Sequence, residues 1–490
     1  QSIELAWLAL LGRMAVGKVV GVESARVSLG LVRTIGAAAT RDGWTLKMLA
    51  DSPVDVARAR HDPPPKPAGR LWAIDPALAG RSVAERLAEG RHVLVDNDLQ
   101  ALVVSALDEL AWIANLRGDQ FAYQATFRGQ GVVLKDALVL AADKAAFTGA
   151  RAAEDAVRFV DDDGLAAAVT KGARVGVDPS TTPHAVAQQL IDAGAVLVEV
   201  PSPYALLRTK KTPAELAHMQ HAFARADAVI DDVQKWLALQ LKKNRPVTEY
   251  DVAQETERRF RESGAFGLSF KVISAVGVNG AVVHYSTPSK ARIIKAGELF
   301  LLDTGAYYEG GYATDLTRTF LAGPSTTKAT KEQMRLYTLV LKAAIAGMSA
   351  RVPVGVTGEQ LDAIVRDPLW RAGLDYGHGT GHGVGVNVHE APPSVRIGSR
   401  ITVEPGQVFS IEPGVYLNGW GGVRIENLCT VVEDTVEPPA GVPRRFLRVK
   451  PLTFSPLDNR LIDRKLLSDF EKRFLAWFKR GNRSLLPPTQ

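Results

Sequence analysis

The sequence predicts a multidomain chain, α/β over residues 1–207 and α+β over 208–490. Three observations predict it. First, GKVVGVES at 17–24 resembles GARVGVDP at 172–179. In both places a helical stretch and an apolar run follow, ending in Ser-Pro within TLKMLADSP at 45–53 and AVLVEVPSP at 195–203. A repeat of this kind is one α/β unit used twice. Second, ELAHMQHAFARADAVIDDVQKWLALQL, opening at Glu215, has apolar residues at three-to-four spacing behind Pro213, a residue suited to a helix's first turn. Third, beyond 266 short strand-like runs with glycine turns alternate with helical segments such as KEQMRLYTLVLKAAIAGM at 331–348.

Taken along the chain, LAWLALLG at 5–12 has the length of about two turns of buried helix and is too short to span a bilayer. It lacks a basic region before it and a small-residue cleavage site after it, so it is a poor signal peptide. The chain opens at Gln1 rather than Met, which places the expected natural start upstream. The Pro-rich HDPPPKPAG at 61–69 reads as a linker. More than a hundred residues separate that linker from the second α/β copy, whereas the first copy begins at residue 17. The first domain is therefore expected to be curtailed. Domains are expected at 1–70 (curtailed α/β domain and linker), 71–207 (second α/β domain) and 208–490, the last opening near RTKKTPAEL at 208–216.

Hydrophobic residues at 46% and charged residues at 23% are those of an ordinary globular chain. The net charge of +6 comes from Lys and Arg spread along the sequence, which gives no footprint for nucleic acid, and no segment suits a membrane. Cys429 is the single cysteine. That excludes an intrachain disulfide and a multi-cysteine zinc site, and it fits a reducing, cytoplasmic location.

Four of the nine histidines, His284, His378, His382 and His389, fall between 284 and 389. YGHGTGHGVG at 376–385 sets two of them four apart, a spacing that serves a metal on a helix, but five glycines in ten residues make a poor helix. On an extended segment His378 and His382 face one way, and small neighbours let the backbone pass close to a metal. His389 is at an odd offset from His382, so a turn or bulge must intervene for it to join them.

The carboxylates come in two expected hairpins. ELFLLDTGAYYEGGYATDLTRTFL places Asp303 and Asp315 symmetrically about Glu309, at facing or diagonal positions on neighbouring strands. VFSIEPGVYLNGWGGVRIENLCTVV places Glu412 and Glu426 about Gly419, where Asn418-Gly419 is a strong hairpin signal. Four buried carboxylates left alone would repel and take up protons. Two divalent cations would balance them. Oxygen-rich ligation with one nitrogen suits Mn²⁺, with Co²⁺ or Zn²⁺ as alternatives. A pair of ions about 3.5–4 Å apart sharing a hydroxide is a recurrent arrangement for hydrolysing peptide and phosphate bonds.

SAVGVNGAVVHY, LLDTGAYYEGGYATDLTRTF, YGHGTGHGVGVNVHE, IEPGVY and GVRIEN occur in the order found in the pita-bread metallopeptidases. The sequence most resembles the aminopeptidase P family, whose members remove an N-terminal residue when the second is proline. ALDELAWIANLRG at 106–118 and LTFSPLDNRLID at 452–463 extend the likeness over nearly the whole chain from about residue 70. The resemblance implies a pita-bread (creatinase/aminopeptidase-like) catalytic domain with a C-terminal extension, preceded by creatinase N-terminal-like α/β domains. It implies two divalent ions, with Asp303 chelating one metal, Asp315 and Glu426 bridging both, and His382 and Glu412 completing the other. His378 would sit outside the ligand set. His284 and His389 would hold the scissile carbonyl and the developing oxyanion, and Arg424 would support the bridging glutamate, as metal ligands require.

A metal-bridging hydroxide would then attack the carbonyl before proline, polarised by one metal and His284, and Glu412 would pass the proton to the departing nitrogen. The amide before proline has no N–H, so an apolar, ring-shaped pocket is expected. Substrates would be peptides with N-terminal X-Pro, and the chain would form a homodimer or higher homo-oligomer. The family usually has ten residues between its two aspartates and this chain has eleven, which a longer hairpin tip absorbs. The shortened first domain bears on assembly and on the entrance. Glu404 also precedes Pro-Gly, eight residues before Glu412, and reads as a turn residue. Two rival readings are a prolidase acting on X-Pro dipeptides and a metal-free peptide- or protein-binding relative. The filled ligand positions argue against the second.

Overall fold

In the computed structural model the described residues are 3–61, 69–148, 151–161, 164–436, 445–482 and 485–488. Within the expected linker, residues 62–68 lie outside them. Chain contacts divide the molecule into two compact units. One comprises residues 1–73, 81–120 and 126–207, the other 74–80, 121–125 and 208–490.

In the first unit the repeated sequence becomes a repeated fold. Val19–Glu23 and Thr45–Leu49 are parallel strands joined by the helix Leu29–Asp42; Arg174–Val177 and Val196–Glu199 are parallel strands joined by His184–Asp192. The first pair stands as a two-stranded sheet. The second forms one side of a six-stranded sheet that continues through Ala101–Val104, Gly129–Val133, Leu138–Ala142 and Val157–Val160. LAWLALLG does form a helix, Ile3–Met14, but not the buried one expected. Leu8 is buried while Trp7 and Leu10 are 44% and 46% exposed. The reason is that its apolar contact is one-sided, with Leu8 packing on Ile35, Ala38 and Ala39 of the next helix.

The second unit opens on the 30-residue helix Pro213–Lys242. Thr212 accepts from the Glu215 N–H and Glu215 answers to the Thr212 N–H, a capping box behind which Pro213 occupies the first turn. This helix and Glu249–Glu262 cover a three-stranded sheet of Ile273–Val276, Leu299–Thr304 and Leu316–Leu321 around Ile230, Val233, Phe260, Phe300 and Leu302. A second helix pair, Lys331–Met348 and Gly358–Trp370, covers a six-stranded sheet around Leu341, Ile345, Val365, Phe409 and Ile411. Each such buried side chain contributes about 1.5–3 kcal/mol, which fixes both sheets firmly. Among the described residues no helix is long and apolar enough to cross a membrane.

Both expected hairpins are present. In the first, Asp303 pairs with Thr317 and Tyr307 bridges Ala313, so the hairpin centres on Gly310 rather than Glu309. Asp303 and Asp315 are therefore diagonal neighbours. Gly310 and Gly311 hold the tip with φ of +85° and +64°, values other residues adopt at a cost. In the second, Gly414–Leu417 pairs with Gly421–Arg424 about Gly419. Outside it Val408–Ile411 pairs with Asn427–Glu433 in the same register, with Ile411 opposite Asn427. Glu412 and Glu426 thus lie opposite each other at the break between the two ladders.

Candidate metal centre

One cavity of about 420 Å³ in the second unit is lined by Asp303, Asp315, His382, Glu412 and Glu426, and also by His284, His378, His389 and Arg424. Asp303 is the penultimate residue of the middle strand of the three-stranded sheet and Asp315 immediately precedes its partner. His382 is the centre of Gly381–Gly383, a short strand of the other sheet, while Glu412 and Glu426 sit at the ends of strands in that sheet. Each sheet therefore delivers part of the cluster.

Donor atoms of Asp315, His382 and Glu426 lie within 4.8 Å of one another. His382 Nε2 is 3.5 Å from Asp315 Oδ2 and 3.4 Å from Glu412 Oε1. Its Nδ1 is 3.0 Å from the Gly383 carbonyl, which can only accept, so Nδ1 carries the proton and the Nε2 lone pair faces the carboxylates. Burial lowers the His382 pKa to about 4, keeping the imidazole in the neutral form that ligates metals. The carboxyls move the opposite way. Burial pushes Glu412 up to about 8. Burial first, then the neighbouring carboxylates, holds Asp315 and Glu426 well above the ordinary range. Asp303 Oδ1 is buried without a hydrogen-bond partner. Hard oxygen donors, one aromatic nitrogen and an orphaned carboxylate oxygen in one desolvated cluster fit divalent cations.

Arg424 is fully buried and donates from Nη2 to Asp303 Oδ2 at 2.6 Å and from Nε to Thr317 Oγ1 at 3.0 Å. Thr317 Oγ1 in turn donates to Glu426 Oε2 at 2.8 Å. Arg424 thus meets Asp303 directly and reaches Glu426 through a threonine. Its Nη1 donates to Tyr416 Oη at 2.8 Å, and that hydroxyl lies 2.9 Å from His378 Nε2. Since His378 Nδ1 donates to the Gly379 carbonyl, Nε2 accepts from Tyr416. The chain of bonds from Asp303 to His378 places His378 beside the donor cluster, in a bend rather than on the extended run expected. His382 and His389 stack edge to face at 4.4 Å, and the turn their odd offset requires is a run of bends over 385–389.

The glycines of 381–385 also make room for neighbouring protein groups. A Cβ on Gly381 would stand 1.8 Å from the Ser410 carbonyl oxygen, and one on Gly385 would stand 2.3 Å from the Glu390 carboxylate. Gly381 is needed for the approach of a neighbouring strand and Gly385 for that of the Glu390 side chain.

Several supporting residues escape sequence reasoning. Glu249, fully buried, accepts from the backbone N–H of Val276 and Ser289 and from the side chains of Asn279 and Tyr285, at 2.8–3.0 Å. This one carboxylate gathers the loop that bears His284. Glu390, beside His389, is buried in ion pairs with Arg208 at 2.9 Å and Lys211 at 2.5 Å. The only sequence signal was the cationic RTKKTP segment itself. Cys429 is free and buried.

The family model for metallopeptidase family M24 matches residues 217–433, and that for the creatinase/prolidase N-terminal domain matches 62–215. A protein of Sordaria macrospora named Probable Xaa-Pro aminopeptidase P is 34% identical, over 96% of this chain and 78% of its own length. Among solved structures, the X-prolyl aminopeptidase of Caenorhabditis elegans, described as a cytosolic enzyme with a dinuclear active site, superposes with a TM-score of 0.84 at 26% identity. The match covers 96% of this chain and 78% of that one. The Xaa-Pro dipeptidase of Bacillus anthracis, also 26% identical, reaches 0.61 over 77% of this chain and 99% of its own. The chain belongs to metallopeptidase family M24, with a pita-bread domain behind a creatinase N-terminal domain. Within that family it stands with the aminopeptidase P group, and it is a metallo-aminopeptidase.

Proposed function

We propose that the chain releases the N-terminal residue from peptides with proline in second position, using two divalent ions, Mn²⁺ being the best match to the donors. The convergence of Asp303, Asp315, His382, Glu412 and Glu426 on one buried cluster carries this reading. Asp303 would chelate one ion, Asp315 and Glu426 would be shared, and His382 with Glu412 would complete the other. Bound there, the ions would supply a water activated at neutral pH and a Lewis acid for the scissile carbonyl.

The remaining work falls to the chain's own groups. Arg424 fixes the Asp303 carboxylate and, through Thr317, orients Glu426. His284 and His389 line the cavity and are suited to donate to the carbonyl oxygen as it gains charge. Glu412 accepts from Ser410 Oγ at 3.1 Å and would take a proton and return it to the proline nitrogen. The division at residue 207 leaves this whole apparatus in the second unit.

Hydrolysis of Arg-Pro-Pro and of Gly-Pro, side by side, in chelated protein re-supplied with Mn²⁺ tests the reading. Cleavage of the tripeptide before its first proline with little action on the dipeptide is the expected result. Preference for the dipeptide makes the protein a prolidase, and failure to bind metal removes the proposal.

A further inference from the structure

Two cations line the metal-centre cavity and take no part in the donor network: Lys271, between the strands Gly267–Leu268 and Ile273–Val276, and Arg396, just after Glu390–Val395. Both side chains are exposed. Arg396 lies against the turn that carries His378, since a Cβ on Gly379 would stand 3.3 Å from its own Cβ. Among the described residues its side chain makes one hydrogen bond, from Nε to Ser394 Oγ at 3.1 Å, a neutral partner that also lines the cavity. Among the described residues, neither Lys271 nor Arg396 pairs with a carboxylate. Some other surface arginines of the same unit do, Arg258 with Glu255 and Glu262, Arg335 with Glu332 and Arg371 with Asp367, while Arg464 and Arg480, also without such a partner, lie away from the cavity. Nor would the loaded donor cluster satisfy them, because two dications bound there would neutralise its four carboxylates.

We infer that Lys271 and Arg396 form a carboxylate-recognising rim, which selects peptides bearing an anionic group on the C-terminal side of the cleaved bond. The inference rests on the aminopeptidase reading above. An entering peptide carries an ammonium at one end and, when short, a carboxylate at the other. Two cations at the rim repel the first and attract the second, so they belong to the leaving-group side of the cavity. The same chemistry is offered by a peptide's terminal carboxylate and by an acidic side chain after the proline.

Four substrates separate these sources in Mn²⁺-loaded protein. Ala-Pro-Ala is compared with its C-terminal amide, and Ala-Pro-Asp-Ala-amide with Ala-Pro-Asn-Ala-amide. Exposed ion pairs each give a factor of about 1.5–5, so the anionic member of at least one pair is expected to show a kcat/KM about three- to tenfold higher, chiefly through KM. A preference in the first pair identifies the terminal carboxylate, and one in the second the side chain. The ratio should fall towards one in the Lys271→Gln/Arg396→Gln double variant and stay unchanged in Arg335→Gln. Calorimetric binding of the product Pro-Ala against Pro-Ala-amide should show the same preference without any turnover. Ratios near one in both pairs, or a preference that survives the double variant, would overturn the inference while leaving the aminopeptidase reading intact. Absence of cleavage of all four peptides would sink that reading, and the rim with it.

Discussion

Arg424 donates to Asp303, Tyr416, Thr317 and the Val283 carbonyl from one buried guanidinium, so its loss would release four groups at once. Arg424→Gln is expected to lower metal affinity or activity by about 10–100-fold, as loss of such supporting contacts commonly does. Metal content by mass spectrometry, beside kcat and KM, checks it; full metal occupancy with unaltered kinetics would refute it. Asp315→Asn removes a donor from the tightest part of the cluster and is expected to leave the protein unable to retain two ions after gel filtration. The carboxylates of the candidate donor set were visible in the sequence, because acidic residues placed about a turn, Glu412 and Glu426 symmetrically and Asp303 and Asp315 one step off, announce a shared face. Tyr416 and Thr317 were not. Their importance depends on the approach of Arg424, which no local pattern encodes.

The hairpins show what turn chemistry can and cannot specify. Asn418-Gly419 fixed the second hairpin's centre correctly, whereas the first shifted by one residue onto Gly310, where two successive positive-φ glycines form the tip. The helix Pro213–Lys242 and the duplicated strand–helix–strand units were equally readable, since capping residues and repetition are local signals. Loop anchoring was invisible, and Glu249 is the clearest case: its four donors span residues 276–289. All four are N–H or O–H groups, so Glu249→Gln, with one acceptor oxygen, leaves some of them unpaired. A loss of about 1–3 kcal/mol is expected, read by thermal melting, with faster hydrogen exchange concentrated in that loop. Gly381→Ala tests the strand contact. With 1.8 Å available to the new Cβ, overpacking should cost about 1–3 kcal/mol or more, and an unchanged melting point would show that the strands can part freely.

For the second unit taken whole, the carboxylate cluster links stability to pH and to metal. Glu412 is pushed up to about 8 from an ordinary 4.5, and Asp315 and Glu426 are raised as well. Groups whose pKa is raised by folding favour the fold while protonated. Their contribution in the chelated protein is therefore present below about pH 4.5 and lost as pH rises through about 8. The melting temperature of chelated protein should fall across that window, and saturating Mn²⁺ should restore it at the alkaline end, because an ion bound only to the folded state stabilises it by mass action. A pH-independent melting point without metal would contradict the reading.

The distribution of donors between two sheets has one more consequence. Asp303 and Asp315 precede the segment 324–329, and His382, Glu412 and Glu426 follow it. A backbone cut in that segment would yield two polypeptides, one offering two carboxylates and the other an imidazole with two more. Tight retention of paired ions would then require the pieces to reassociate. Metal uptake would become an assay of complementation, and the ion would report the union of two halves of a domain encoded in a single chain.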